Sequence, residues 1–190
     1  MQRGLFFDQT RCTGCSTCLI ACKDWHELDL GADPENWIRV HTVEKGQYPV
    51  LFVAFLAQPC YHCERPPCLS ACPVEAIHKR EEDGIVIVDR DACLGNANCD
   101  APCKTACPYA VPQFGPETGA KMQKCDFCLE RWAEGRAPVC VEACPMRALD
   151  SGPMDALKAR HGDLREAEAF FYAGDAKPSI VFKPRRQGMV

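Results

Sequence analysis

The chain is poor in several features that would assign it to a common class. No apolar stretch approaches a membrane span: the longest, Val50–Ala57, has eight residues, where a bilayer needs about 20. An excess of one charge is also missing. Lys and Arg number 22 against 26 Asp and Glu, a net of −4, and no basic stripe points to nucleic acid. There is no G-x-G-x-x-G or P-loop cradle for a nucleotide. No nucleophile and base stand in a recognisable catalytic arrangement. The start, MQRGLFFDQTRC, shows neither a long apolar segment nor a small-residue cleavage site. The adjacent arginines, Arg185 and Arg186, lie at the wrong end for an export signal.

What the chain has in excess is sulfur: 16 of 190 residues are cysteine, near the level of a cysteine-built scaffold. Disulfides would belong to an exported protein, which this start does not announce. Structural zinc usually takes separated C-x2-C pairs. The first group here is instead Cys12, Cys15, Cys18 and Cys22, spaced C-x2-C-x2-C-x3-C. That is the run of bacterial iron–sulfur ferredoxins, with Lys23 where proline usually follows. The reason is geometric. A cubane presents its irons at the corners of a tetrahedron, so one tight loop reaches three of them. The fourth cysteine points away and ligates a neighbouring cluster.

The device recurs. Cys60, Cys63, Cys68 and Cys72 are spaced C-x2-C-x4-C-x3-C, with Pro66 and Pro67 stiffening the longer gap. Cys93, Cys99, Cys103 and Cys107 are spaced x5, x3 and x3, a loop stretched by four residues relative to the first. Gly95, Asn96 and Asn98 suit the irregular backbone such a loop needs. Cys125 and Cys128 are followed, after an eleven-residue insertion, by Cys140 and Cys144. The last cysteine of three groups sits in the same setting, Ala71-Cys-Pro73, Ala106-Cys-Pro108 and Ala143-Cys-Pro145, with Ala21-Cys22 as a degenerate copy. These are internal repeats. Pro73 is expected to open a helix after its cysteine.

Between the groups, strands are expected at Leu5–Asp8, Trp37–Val43, Tyr48–Ala57 and Ser179–Phe182. Asp83-Gly84 should turn a hairpin between Ala76 and Val88. Helices are expected at Ala21–Glu27, at Leu129–Glu134 ended by Gly135, at Pro153–Arg160 ended by Gly162, and at Leu164–Tyr172.

Taken together, these motifs resemble the four-cluster iron–sulfur subunits, the beta-type electron-transfer subunits, of the dimethyl sulfoxide reductase family. The resemblance rests on Asp8–Cys15, Cys60–Cys63, Pro67-Cys68, Cys72-Pro73, Asp83–Asp89, Cys107-Pro108-Tyr109, Lys124–Cys128 and Cys140–Pro145. The tail segments Gly152-Pro153, His161–Asp163 and Lys177-Pro178 share it. It implies an α+β fold of two pseudo-symmetric ferredoxin-like halves, with short strands, short helices and long cluster-binding loops. One half would be 1–58 with 115–150, the other 59–114, and 151–190 a helix-and-strand tail. It implies four [4Fe–4S] clusters. The first would be held by Cys12, Cys15, Cys18 and Cys144, and the second by Cys60, Cys63, Cys68 and Cys107. The third would take Cys93, Cys99, Cys103 and Cys72, and the fourth Cys125, Cys128, Cys140 and Cys22.

The function so implied is the relay of single electrons. The partners would be a molybdenum or tungsten bis-pterin catalytic subunit and, at the other end, a quinone-reactive membrane subunit or a soluble carrier. Location would be the cytoplasm, at the membrane through partners, or the periplasm by co-export with a signal-bearing partner. Two other readings stay open here: a free-standing polyferredoxin, and a zinc-stabilised interaction module. Around the cysteines, backbone N–H groups near Gly14 and Gly95 can bond to sulfur. Leu19, Ile20, Leu69, Val74, Ile77, Val111, Val139 and Leu149 can exclude water. His62 is read as a supporting or exposed residue within the second group, with replacing a ligand or shuttling protons as the alternative, and Lys23, Lys104 and Lys124 as solvated lysines with the alternative of tuning a potential. Trp25, Trp37 and Trp132 are read as packing. The basic end Lys183, Arg185 and Arg186 is read as solvated, with docking to an acidic partner as the alternative.

Overall fold

The computed structural model describes residues 1–28 and 36–187; residues 188–190 of the expected tail lie outside them. The central strand is β1 (Arg3–Asp8). On one side it pairs antiparallel with β6 (Leu149–Pro153), placing Phe7 opposite Leu149. On the other it pairs parallel with β7 (Ile180–Lys183), placing Leu5 beside Ile180 and Asp8 beside Lys183. A strand flanked on both edges and covered on both faces should be apolar throughout, and Leu5, Phe6 and Phe7 are all buried. Leu5 and Phe7 face the main core. Phe6 faces the other way, onto Val181 and onto Met154 and Leu157 of α7 (Met154–His161). Its ring stacks on His161 at 3.7 Å.

The strands expected at Trp37–Val43 and Tyr48–Ala57 form one antiparallel hairpin, β2 (Arg39–Gln47) and β3 (Val50–Gln58). Its base is buried at Leu56 and Ala57, and its tip is exposed at Tyr48, Val50 and Leu51. A smaller hairpin joins β4 (Ile77–Lys79) to β5 (Val86–Val88). Its connection is residues 80–85, longer than the tight Asp-Gly turn expected. Asp83 closes it by accepting from the Ile85 amide and the Arg80 Nε, both at 3.1 Å.

Helix α1 spans Thr17–Trp25, four residues earlier at its start than expected, so that both Cys18 and Cys22 lie on it. It ends because Glu27 is left-handed (φ 50°), which lets the Leu28 amide reach back to the Lys23 carbonyl at 3.0 Å. Helix α7 matches expectation, with Pro153 before it and Gly162 (φ 84°) after it.

The helix expected at Leu164–Tyr172 does not form. The backbone there has better partners elsewhere. Leu164 O accepts from Phe182 N at 2.9 Å, extending the sheet edge. Glu168 is held through both its amide and its carbonyl by the side chain of Gln9, at 3.0 Å each. Gln9 also donates to Phe55 O at 3.0 Å and accepts from Arg185 N at 3.2 Å. This buried amide ties hairpin, tail and β1 together. The basic end is paired internally: Lys183 with Asp8 at 3.2 Å and Arg186 with Glu166 at 2.7 Å.

The main core is continuous from Leu5 and Phe7 through Tyr61, Ile85 and Tyr109 to Phe127 and Phe182, and it contains Cys18, Cys22, Cys60, Cys140 and Cys144. A smaller core gathers Ile77, Val86 and Met122 around Cys68 and Cys103.

Two tests follow from the sheet. Gln9→Leu keeps the volume but strands four backbone groups, at about 1–3 kcal/mol for a buried group left unbonded. Hydrogen exchange at Glu168 and Arg185 should accelerate at least about tenfold, since 1.4 kcal/mol is tenfold. Asp150 accepts from Arg160 Nη1 and His161 Nε2, each at 2.8 Å. Burial alone would raise its carboxyl; the His161, Ser151 and Arg160 contacts outweigh burial and hold it below the ordinary 3.8. Its contribution is therefore full above the ordinary carboxylate range and is lost as pH falls through the lowered folded value. Asp150→Asn should lower the denaturation midpoint at neutral pH, and the gap from wild type should close on acidification below 3.8.

Candidate metal centres

All sixteen cysteines are free thiols, and the fold gathers them. The first group surrounds a small cavity lined by Cys12, Cys15, Cys18 and the remote Cys144, with Phe7, Val40, Ala57 and Leu149 as apolar walls. The loop that places them turns at Gly14 (φ 70°) and Ser16 (φ 59°) before α1 begins. A second small cavity is lined by Cys93, Cys99, Cys103 and the remote Cys72, with Ile77, Val88, Phe114 and Met122. The stretched third loop therefore still brings its thiols to one place. The added residues are taken up by a single helical turn, α3 (Asn96–Cys99), before α4 (Pro102–Ala106). Gly95 (φ 83°) enters that turn with the Gly119 carbonyl crowding the place where a Cβ would lie.

Of the other eight thiols, Cys22, Cys60, Cys68, Cys128 and Cys140 are buried and Cys63, Cys107 and Cys125 are half-buried. Burial, then the charges of Cys60, Cys107 and Cys68, push the Cys63 thiol well up. Cys22 is pushed up to about 12 by burial and then by Cys128. Cys140 is raised by burial and by Cys128 and Cys22, and Cys125 by burial, Cys60 and Cys22. Cys18 and Cys68 likewise rise to about 12, burial first. Desolvated, crowded thiols resist ionisation until a cation takes the protons' place.

The three Cys-Pro repeats have one local structure. The residue three past the cysteine is left-handed in each: Glu75 (φ 51°), Ala110 (φ 49°) and Arg147 (φ 51°). Its amide returns to the cysteine carbonyl at 3.4, 3.1 and 3.2 Å respectively. That turn aims the next amide at sulfur: Ala76 N to Cys72 Sγ and Ala148 N to Cys144 Sγ, both 3.3 Å. Contrary to the expectation for Pro73, the proline does not open a helix. The cysteines instead follow the short helices α2 (Pro67–Ser70), α4 and α6 (Val139–Glu142), and proline prevents those helices from continuing. Where Lys23 replaces proline, α1 runs on through Cys22.

The insertion before Cys140 carries α5 (Leu129–Ala133) and is anchored by the buried Arg131, which donates to Ala137 O at 2.8 Å and pairs with Glu142 on α6. Trp132 is packed between Phe127 and the Arg3 guanidinium, Trp37 donates to Gln123 at 2.9 Å, and Trp25 lies under Arg131. His62 is fully buried, and its Nδ1 accepts from Val86 N at 3.0 Å. Burial, and then the charge of Lys124, lower its pKa far below the ordinary value. Of the flanking lysines, Lys104 is exposed, but Lys23 and Lys124 are buried. Among the proposed water-excluding residues, Ile20 is 60% exposed and Val74 also faces out; Ile77, Val111 and Leu149 are buried. One residue that sequence reasoning passed over is His26, whose Nε2 is 3.4 Å from Cys128 Sγ. Its position, one helical turn after Cys22, was the available signal.

The donor set fits iron–sulfur chemistry. Both cavities are lined by thiols and mostly apolar groups, with Thr13 and Ser16 at the first and no carboxylate or imidazole at either, a soft set suited to such clusters. Comparison with known proteins agrees. Residues 11–76 and 51–154 each match a 4Fe-4S dicluster domain. The sequence is 45% identical to the B subunit of the anaerobic dimethyl sulfoxide reductase of Escherichia coli K12, over 96% of this chain and 89% of that subunit. This protein belongs to the iron–sulfur subunits of the dimethyl sulfoxide reductase family. Another relative is the B subunit of the Haemophilus influenzae reductase, 38% identical over 97% of this chain and 90% of its own length. The thiosulfate reductase electron transfer subunit PhsB of Salmonella typhi is 38% identical over 80% of this chain and 76% of its own length. As a family member with two dicluster domains and 16 cysteines, the protein carries four [4Fe–4S] clusters.

Gly95→Ala would force a Cβ into the Gly119 carbonyl in a left-handed conformation. Anaerobically purified variant should lose about a quarter of its iron and sulfide, one cluster in four, while the sheet's hydrogen exchange stays unchanged.

Proposed function

We propose that this iron–sulfur subunit is a wire. It would relay single electrons between a molybdenum or tungsten bis-pterin catalytic subunit and a quinone-reactive membrane subunit or soluble carrier. Its ligand sets are those the resemblance implies: Cys12, Cys15, Cys18 and Cys144; Cys60, Cys63, Cys68 and Cys107; Cys93, Cys99, Cys103 and Cys72; Cys125, Cys128, Cys140 and Cys22. The two halves, 1–58 with 115–150 and 59–114, each hold two clusters, and 151–190 closes the sheet. Bound there, each cluster supplies a one-electron couple whose potential depends on charge, hydrogen bonds and exposure.

The observation that carries this reading is that neighbouring thiol groups meet. Cys18 and Cys22 lie one turn apart on α1, linking the first set to the fourth. The Cys60 and Cys125 thiols lie close enough for one charge to raise the other's pKa, linking the fourth to the second. Cys68 feels Cys103 in the same way, linking the second to the third. The order is first, fourth, second, third. The protein's residues hold the sulfurs, donate to them from Ala76 and Ala148, and keep water from the inner sets with Leu56, Ile85 and Phe127. In this reading the subunit does no chemistry on the substrate itself. None of its described helices is long and apolar enough to cross a membrane, so a membrane partner would receive it at the surface. The accompanying location is the cytoplasm.

Anaerobic purification should yield about 16 irons per chain, four per cluster, together with a co-purifying pterin-containing subunit. Cys144→Ser should abolish the spectroscopic signal of the first cluster and slow transfer to or from that end. Zinc in place of iron and sulfide would overturn the reading, as would a fully loaded protein that no pterin subunit binds or reduces.

A further inference from the structure

Lys124 is the most unusual charge in the molecule. It is 2% exposed. Its Nζ donates to the Cys125 carbonyl at 2.9 Å and to the Val86 carbonyl. Among the described residues its partners are these carbonyls and no carboxylate. Other buried charges are differently placed: Arg131 has Glu142, and Asp8 has Lys183. His62 supplies no counter-charge. It is turned with its Nδ1 as acceptor toward the Val86 amide, on the same residue whose carbonyl Lys124 holds. A buried ammonium without a compensating negative charge is strongly unfavourable. The negative charge within reach is sulfur. Lys124 adjoins Cys125, and through the Val86 carbonyl it is fixed to the smaller core that also contains Cys68.

We propose that Lys124 is the built-in counter-charge of the cluster held by Cys60, Cys63, Cys68 and Cys107, and that it makes this cluster easier to reduce. The inference rests on the ligand sets proposed above. The step is simple in its balance. One electron enters the cluster from its neighbour, no proton moves, and the fixed ammonium offsets the added negative charge. At an effective dielectric of about 20, a full charge a few ångströms away alters an equilibrium by more than tenfold. The placement also has a consequence for the wire. The second cluster lies in the interior of the series, so a favourable potential there makes it a holding point for an electron in transit.

The test uses the full chain in its complex, loaded anaerobically, with a redox titration followed by electron paramagnetic resonance. Lys124→Gln retains N–H donors for both carbonyls but removes the charge. Lys124→Arg retains the charge. With four clusters present, the glutamine variant should reduce the reduced-to-oxidised ratio of one cluster at fixed potential by about tenfold or more. Tenfold is about 59 mV for a one-electron couple. The arginine variant should stay within about threefold of wild type. The midpoint that moves should belong to the signal that Cys68→Ser alters. A glutamine variant that fails to load while the arginine variant loads also supports the proposal, since the charge is then needed to gather the thiolates. Fully loaded variants with unmoved midpoints would overturn it, and so would failure of both to load, which assigns the lysine to packing alone. Fewer than four clusters in the wild type counts against the ligand reading instead, and that is seen before any variant is made.

Discussion

Everything in this molecule follows from burying many thiols close together. Each ionised sulfur raises the cost of ionising the next, and desolvation raises it further; the pKa of Cys18, Cys22 and Cys68 is pushed up to about 12. Such a core is unfavourable as a set of thiolates and becomes favourable only around cations. The fold is correspondingly shaped around the thiols. Outside the β2–β3 hairpin the strands are short, helices α2, α3 and α6 are four residues each, and cysteine takes the places that leucine and valine would fill in an ordinary core.

Sharing thiols between distant segments gives the protein its topology. Cys144 reaches the cavity of Cys12, Cys15 and Cys18, and Cys72 reaches that of Cys93, Cys99 and Cys103. For Cys144 to return to the start of the chain, the segment after it must lie beside β1, and it does so as β6. The later tail then takes the other edge as β7. Gln9 fastens the irregular stretch between α7 and β7 through its own amide, so that stretch needs no helix to satisfy its backbone.

The repeated Cys-Pro unit shows how a small local rule serves chemistry. Proline stops a short helix, the residue three past the cysteine turns left-handed, and the following amide faces sulfur. A left-handed glutamate, alanine or arginine is mildly strained. The strain recurs in all three copies because it aims a donor at a sulfur whose negative charge would otherwise be buried without one.

Much of the site was legible in the sequence itself. Spacing of Cys12, Cys15, Cys18 and Cys22 identified the chemistry, because cubane geometry tolerates few spacings, and the Cys-Pro copies exposed the repeat. The strands around Leu5, Val53 and Val181 and the helix after Pro153 were readable because their patterns are local. Tertiary structure decided the rest. Leu164–Tyr172 has helical composition, yet its backbone bonds go to Gln9 and Phe182, partners no local window contains. Lys23 and Lys124 look like surface lysines in sequence and are buried, and Ile20 looks like core and is exposed. Sequence determined which atoms can bind a cluster, because ligand spacing is a short-range property. Only the folded molecule decided which charge lies beside which sulfur, because that depends on segments brought together from across its whole length.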